Sequence, residues 1–285
     1  MIHIDVIEHC NFKCYFCAAK DITTPQFMDV DMFKRLVKES AELGVQELNL
    51  VPMKGEPFLH PHIYEMLDFA TQHMKMVNIF SNATAINVQR LLQVNMSKLV
   101  LNISQYGRDP DEFCELTQVS ARLWDVFHDR LQEMSAVGIP YTVFVRTRDY
   151  DFDYDDHRGA NVTEFDGKHK CKYHHQPRVY PSGKVSFCLF IESETTGAES
   201  VMYSDISKDT VTHALTHPIR YKFYDSQKIC TDFCQSHDRD CLNRVNMSTI
   251  KLIHMSKTKY EQHKAEVDKH YDQIYSDIVS ARAAV

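Results

Sequence analysis

Residues 1–17 read MIHIDVIEHCNFKCYFC. Apolar and polar residues alternate over 2–7, the period-two signature of a strand with two unlike faces, and three cysteines follow close behind. Four more stretches carry a strand pattern, at 46–51, 76–80, 97–104 and 141–148, and helical periodicity fills the intervals at 29–43, 61–74, 84–95 and 117–137. In the first helix Phe33, Leu36, Val37 and Ala41 recur at helical spacing, Asp29 or Asp31 can cap the start, and Gly44 ends it. Strands alternating with helices predict a parallel sheet with crossover helices.

The two faces of those strands narrow the architecture. Ile2, Ile4, Val6, Leu48, Leu50, Val77, Ile79, Leu99, Leu101, Ile103, Val143 and Val145 make an aliphatic face for helices to cover. The opposite face carries His3, Asp5, Glu47, Asn49, Asn78, Phe80, Asn82, Asn102, Ser104, Thr142, Phe144, Arg146 and Arg148. A closed eight-stranded barrel fills its interior with branched aliphatics, whereas unpaired amides and charges sealed inside a protein each cost free energy. Parallel sheets are seldom left open to water on one side. The expected fold is therefore α/β, a partial (β/α) TIM-like barrel of five or six parallel strands whose polar inner face lines a cavity for a polar ligand.

At 285 residues the chain is long enough for one large domain or two modest ones. Lys and Arg total 32 against 39 Asp and Glu, a net charge of −7, and no basic run offers a surface for phosphate backbones, so nucleic acid is not an expected partner. No basic-then-apolar leader and no bilayer-length apolar stretch is present, so a membrane is not expected either and a cytoplasmic location is. Nine cysteines in a reducing compartment point to metal or catalysis rather than to disulfides. Cys10, Cys14 and Cys17 form a C-x3-C-x2-C run: three thiolates on one loop can hold three corners of a cubane iron–sulfur cluster and leave its fourth iron open. Zinc is the competing reading, with His9 as fourth ligand.

This loop, with the aromatic Phe16 before its last cysteine, resembles the signature of the radical S-adenosylmethionine (SAM) superfamily. Met53-Lys54-Gly55-Glu56-Pro57, after the second strand, is similar to that family's Gly-Gly-Glu-Pro motif, with Lys54 in place of the first glycine, and the resemblance covers residues 2–148. It implies that Cys10, Cys14 and Cys17 hold a [4Fe–4S] cluster whose open iron binds SAM through its amino and carboxylate groups. It further implies that the Gly55-Glu56-Pro57 backbone receives the SAM amino group, and that Ser81, Asn82, Ser104 and Arg146 contact its ribose and carboxylate, with Arg148 the alternative to Arg146. The chemistry implied is reductive cleavage of SAM to a 5′-deoxyadenosyl radical that abstracts a substrate hydrogen, with an electron donor such as flavodoxin or ferredoxin as partner.

Farther along, Cys171 and Cys188 stand in a C-x11-G-x4-C pattern around Pro181-Ser182-Gly183, followed by Cys230-x3-Cys234-x6-Cys241. This resembles the SPASM and twitch extensions of radical SAM enzymes, a β-hairpin and a later helix that hold auxiliary clusters. The resemblance implies an auxiliary [4Fe–4S] cluster on Cys171, Cys188, Cys230 and Cys234, with Cys241 as substitute ligand or structural thiol; a four-cysteine zinc site is the alternative. The chain then divides into a radical SAM partial barrel at 1–150, an auxiliary-cluster domain with a small β-hairpin and helix at 151–246, and a helical tail at 247–285.

Other features read as structure first. Asp151, Asp153 and Asp155 are spaced like a calcium loop, but Asp156 stands at the glycine position and Val162 at that of the final glutamate. Cys114 is a small buried hydrophobe or, alternatively, a hydrogen donor to a substrate radical. His174 and His175 suit a solvent face or a hydrogen bond behind a ligand. In the tail Val267, Tyr271, Ile274 and Ile278 form a seam that can dock on the barrel or on another copy. For function, two enzyme classes and one non-enzyme remain. The first is an oxidoreductase that passes a substrate electron to the auxiliary cluster. The second is a maturase that crosslinks or epimerises a ribosomal peptide, and the third a metal-stabilised interaction module. A barrel that begins at residue 2 leans the expectation toward a small-molecule substrate.

Overall fold

Strands come where the alternation puts them, with edges set by hydrogen bonding. The computed structural model describes residues 1–50, 54–149, 177–186, 202–226 and 247–283. In chain order the strands are β1 (Ile2–Ile4), β2 (Ile7–Glu8), β3 (Gln26–Phe27), β4 (Glu47–Leu50), β5 (Met76–Ser81), β6 (Leu99–Tyr106), β7 (Thr142–Arg146), β8 (Arg178–Val179), β9 (Lys184–Ser186) and β10 (Met202–Asp205). The helices of the first half are α1 (Val30–Glu42), α2 (Ile63–His73), α3 (Val88–Leu91), α4 (Pro110–Thr117) and α5 (Arg122–Ala136). They are followed by α6 (Val211–Leu215), α7 (Pro218–Ser226), α8 (Met247–Gln262) and α9 (Lys264–Ala283).

One sheet runs in the order β10-β9-β8-β1-β4-β5-β6-β7, and β2 and β3 make a separate two-stranded ribbon. β1, β4, β5, β6 and β7 are all parallel, with Ile2 opposite Leu48, Leu48 opposite Val77, Val77 opposite Leu99 and Ile103 opposite Val143. This register stacks the aliphatic positions on one face: Ile2, Ile4, Leu48, Leu50, Val77, Ile79, Leu101 and Ile103 are at most 1% exposed. Burying each such side chain contributes about 1.5–3 kcal/mol. α1 presents Phe33, Leu36 and Val37 to this core, and Asp29 caps it by accepting from the Met32 N–H at 2.9 Å.

Three expectations shift. β1 ends at Ile4, because Ile7 and Glu8 leave the sheet to pair antiparallel with Phe27 and Gln26. The helix expected at 117–137 starts only at Arg122, as α5, and an unexpected helix precedes it: α4 is capped by Asp109 with Pro110 at its start, and Gln118 takes a left-handed φ of 54° that ends it. Val145 is 49% exposed rather than covered, because β7 is an edge strand of the sheet.

The other edge is extended. The hairpin turning at Pro181-Ser182-Gly183 forms as β8 and β9; β8 pairs parallel with β1, and β9 and β10 continue antiparallel. Gly183 has φ of +88° and its N–H donates to the Tyr180 carbonyl at 2.9 Å, a turn geometry that glycine adopts without strain. At the seam, Arg178 ion-pairs with Asp5, both side chains at most 1% exposed, and its guanidinium lies 4.5 Å from the Tyr180 ring centre. Replacing Arg178 with Met leaves the Asp5 carboxylate buried without its cation, and such losses cost about 3–5 kcal/mol. A urea titration of Arg178→Met is expected to show that drop at constant slope, with most of it recovered in the Asp5→Leu, Arg178→Met double variant.

The remaining chain packs against the helix layer. Arg35 of α1 donates to the carbonyls of Ile206 and Asp209, and the Val211 N–H donates to Glu39 Oε2 at 3.1 Å. α7 packs on both α8 and α9. The tail seam thus docks within the chain: Val267, Tyr271, Ile274 and Ile278 are buried, with Tyr271 against Phe223 at 5.0 Å between ring centres. Among the described residues no helix is long and apolar enough to cross a membrane.

Candidate functional site

The cysteine loop is pinned by its backbone rather than by its sulfurs. The Lys13 and Tyr15 N–H groups donate to the carbonyls of Thr117 and Leu116 at the end of α4, at 3.0 and 3.3 Å. Phe12 is buried, edge-on to Phe113 at 5.5 Å and to Tyr106 at 6.3 Å. The Phe12 N–H turns back to Cys10 Sγ at 3.4 Å, and Cys17 starts a 3-10 turn by accepting from the Ala19 N–H at 3.4 Å.

All three sulfur-bearing residues line one cleft. Gly55, Glu56, Ser81, Asn82 and Ser104 line it as well, with Phe16, Phe80 and Tyr106 as aromatic walls. The motif after β4 reaches it by a close crossing. A Cβ on Gly55 would stand 2.5 Å from the Ile7 carbonyl oxygen, so no larger residue fits there without moving backbone. The next N–H, that of Glu56, donates to the His9 carbonyl at 2.8 Å, stitching the motif to the start of the cysteine loop.

Glu56 is buried and organises its neighbours. Its Oε1 accepts from the Phe58 N–H at 3.1 Å and the Ser81 hydroxyl at 2.7 Å, and its Oε2 from the Asn82 N–H at 2.7 Å. Burial pushes the carboxyl up to about 7, against the pull of these donors. Pro57 opens the 3-10 turn Pro57–Leu59 that holds Glu56 at its cap. Arg146 does not line the cleft itself but donates to Ser104 Oγ, which does, at 3.0 Å, and its guanidinium lies 5.9 Å from the centre of the Tyr106 ring.

The donor set fits an iron–sulfur cluster. Burial, reinforced by the Glu56 charge, pushes the Cys10 thiol up to about 12, and burial with the neighbouring Cys17 and Cys10 pushes Cys14 up as well. Such thiols keep their protons until a cation takes up the thiolate charge. Among the described residues no three His, Cys, Asp or Glu side chains converge on a single ion. Three cysteines on one loop offer the soft thiolate donors that iron–sulfur clusters take, with zinc the competing ion.

Not every expected site residue reaches the cleft. Arg148 points away: β7 ends at Arg146, the Arg148 N–H donates to Glu112, and its guanidinium ion-pairs with exposed Glu115. Cys114 sits half-buried on α4, packed against the Phe12, Cys14 and Phe113 cluster. Met53, Cys171, Cys188, Cys230, Cys234 and Cys241 lie outside the described residues, as do His174, His175 and the Asp151–Asp156 stretch. Conversely, the alternation did not single out Tyr106, Asn11 or Thr84. Tyr106 prolongs β6 past the expected end, and Asn11 and Thr84 meet only through folding, 73 residues apart, by a 2.8 Å hydrogen bond from Asn11 Nδ2 to Thr84 Oγ1.

Comparison with known proteins adds three findings. The profile of the Radical SAM superfamily matches residues 4–147. The GTP 3′,8-cyclase of Stenotrophomonas maltophilia (strain K279a) is 28% identical over 152 residues, 49% of this chain and 43% of that protein. The GTP 3′,8-cyclase of Clostridium perfringens (strain SM101 / Type A) is 25% identical over 143 residues, 48% of this chain and 38% of that protein, so the chain spans less than half the length of these relatives. Among solved structures, BtrN in complex with AdoMet and 2-DOIA superposes with a TM-score of 0.58 at 14% identity, covering 86% of this chain and 95% of that one. Native anSMEcpe with bound AdoMet superposes with a TM-score of 0.50 at 13% identity, over 96% and 99% of the two chains. At these identities the structural likeness is one of fold, a mixed α/β architecture built on parallel strands.

Proposed function

The chain belongs to the radical SAM superfamily, and from that premise we propose that it is an oxidoreductase acting on a small molecule, with a second cluster on its C-terminal cysteines as electron acceptor. Membership implies a [4Fe–4S] cluster and SAM. When bound, they supply a one-electron route to breaking an unactivated C–H bond. The substrate then loses one hydrogen atom, one electron and one proton, a net two-electron oxidation.

The observation that carries the reading is the meeting of the three cysteines, Cys14 buried and Cys10 and Cys17 half-buried, with the Gly55-Glu56 crossing around one cleft. In this proposal Cys10, Cys14 and Cys17 hold the cluster, and the backbone at Gly55, Glu56 and Pro57 faces the SAM amino group. Glu56 itself works from behind: it fixes the Ser81 hydroxyl and the Asn82 N–H, and so the turn that borders the ribose. Arg146 and Ser104, joined to each other, are the carboxylate contact. Phe16, Phe80 and Tyr106 keep water from the reacting atoms. The acceptor role rests on the sequence pattern of Cys171, Cys188, Cys230 and Cys234, with Cys241 in reserve.

Incubating the reconstituted, chemically reduced protein with SAM under anaerobic conditions is expected to release 5′-deoxyadenosine, and its absence would overturn the reading. GTP, named in the activity of the sequence relatives, serves as a control substrate and is expected to leave the rate unchanged. Arg146→Ala is expected to weaken SAM binding by about 1.5–3 kcal/mol, roughly 10- to 150-fold, at unchanged iron content, as measured by anaerobic equilibrium dialysis. Unaltered affinity would remove Arg146 from the carboxylate contact.

A further inference from the structure

Behind Cys10 lies a closed circuit of three side chains. Asn82 Nδ2 donates to Asn11 Oδ1 at 2.9 Å, Asn11 Nδ2 donates to Thr84 Oγ1 at 2.8 Å, and the Thr84 hydroxyl donates back to Asn82 Oδ1 at 2.7 Å. Asn82 Nδ2 also approaches Cys10 Sγ at 3.8 Å.

The direction of this circuit is settled by backbone chemistry. The Thr84 N–H, 3.1 Å from Asn82 Oδ1, can only donate, so the amide oxygen must lie on that side and the amide nitrogen must face Cys10. The backbone is shaped to allow it. Ala83, between the two partners, is fully buried with φ of 65°, a left-handed conformation uncommon outside glycine and sustained only where surroundings enforce it. Those surroundings are the Ser81 hydroxyl, which accepts from the Ala83 N–H at 2.9 Å, and Glu56, which holds both Ser81 and the Asn82 N–H. Cys10 thus has two N–H donors aimed at its sulfur, from Phe12 and from Asn82.

We propose that the Asn82, Asn11 and Thr84 circuit is a positioning device that holds an amide N–H on Cys10 Sγ and so raises the reduction potential of the cluster on Cys10, Cys14 and Cys17, an inference that rests on the radical SAM reading above. A hydrogen bond to a cluster thiolate draws electron density from sulfur and favours the reduced state. Thr84 and Asn11 act through Asn82: without the Thr84 hydroxyl or the Asn11 amide, the Asn82 amide loses the restraint that points its nitrogen at sulfur.

The test is a redox titration of the full-length reconstituted protein, following by electron paramagnetic resonance the signal that SAM addition perturbs. In Thr84→Val the ratio of reduced to oxidised cluster at a fixed potential is expected to fall about tenfold, which is about 59 mV for a one-electron couple. Asn11→Ala is expected to shift the same way, whereas Thr84→Ser, which keeps the hydroxyl, titrates like the parent. If Thr84→Val does not fold, Asn11→Ala decides. Parent-like titration within twofold in the Val and Ala variants overturns the proposal, as does a Thr84→Ser shift as large as that of Thr84→Val. A parent protein that assembles no cluster overturns both this proposal and the reading beneath it, so the two failures are told apart.

Discussion

Anaerobic reconstitution of a variant with Cys10, Cys14 and Cys17 all changed to Ala is expected to give a folded protein with half the iron of the parent and no 5′-deoxyadenosine production. Two [4Fe–4S] clusters amount to about eight irons, so the variant retains about four. Retained folding follows from how the loop is built. Its anchors are the Lys13 and Tyr15 N–H bonds to the end of α4 and the buried Phe12 ring, none of which uses a sulfur. Removing the thiols also removes groups whose burial already disfavours their ionised state, Cys10 among them at about 12. Iron analysis with circular dichroism checks both parts. Undiminished iron would show that the trio is not a ligand set, and a parent holding one zinc and a single cluster would sink the assignment of two clusters.

How much of this was legible in the sequence depends on the range over which each feature is determined. β4, β5 and β6 announced themselves because each alternates against neighbours that bury the same face, as the Leu48, Val77 and Leu99 register shows. α1 was legible to its cap because Asp29 acts within one turn. α4 had local signals too, Asp109 followed by Pro110, but its eight residues carry too short an apolar pattern to stand out beside the longer periodicity of α5. Val145 could not be assigned, because its exposure depends on which strand ends the sheet and not on its own neighbours. In the site, the cysteine spacing and Gly55-Glu56 were readable as short motifs. The reason Gly55 has no side chain was not, since it lies in the carbonyl of Ile7 on a different strand. The Asn82 circuit was likewise hidden: its three members belong to two segments that only the fold brings together.

Cys188→Ala is expected to separate SAM cleavage from product formation: 5′-deoxyadenosine continues to form and the oxidised product disappears. In the proposed scheme hydrogen abstraction depends only on the cleft lined by Cys10, Cys14 and Cys17, whereas oxidation of the resulting substrate radical depends on an acceptor. Because iron–sulfur ligands also staple structure, SAM affinity must be measured in the same variant, and it should match the parent. The fold gives a reason to expect that it will. β8 and β9 join the sheet through backbone pairing and the buried Arg178 and Asp5 ion pair, neither of which involves Cys188. With a substrate in hand, movement of deuterium from substrate into 5′-deoxyadenosine identifies the attacked carbon. Normal product at a normal rate from Cys188→Ala would make the second cluster structural or substrate-orienting and replace oxidation with a redox-neutral isomerisation or epimerisation. Epimerisation would require a hydrogen donor to the substrate radical, and Cys114 on α4, half-buried beside the Phe12 and Phe113 rings, becomes the thiol to replace next.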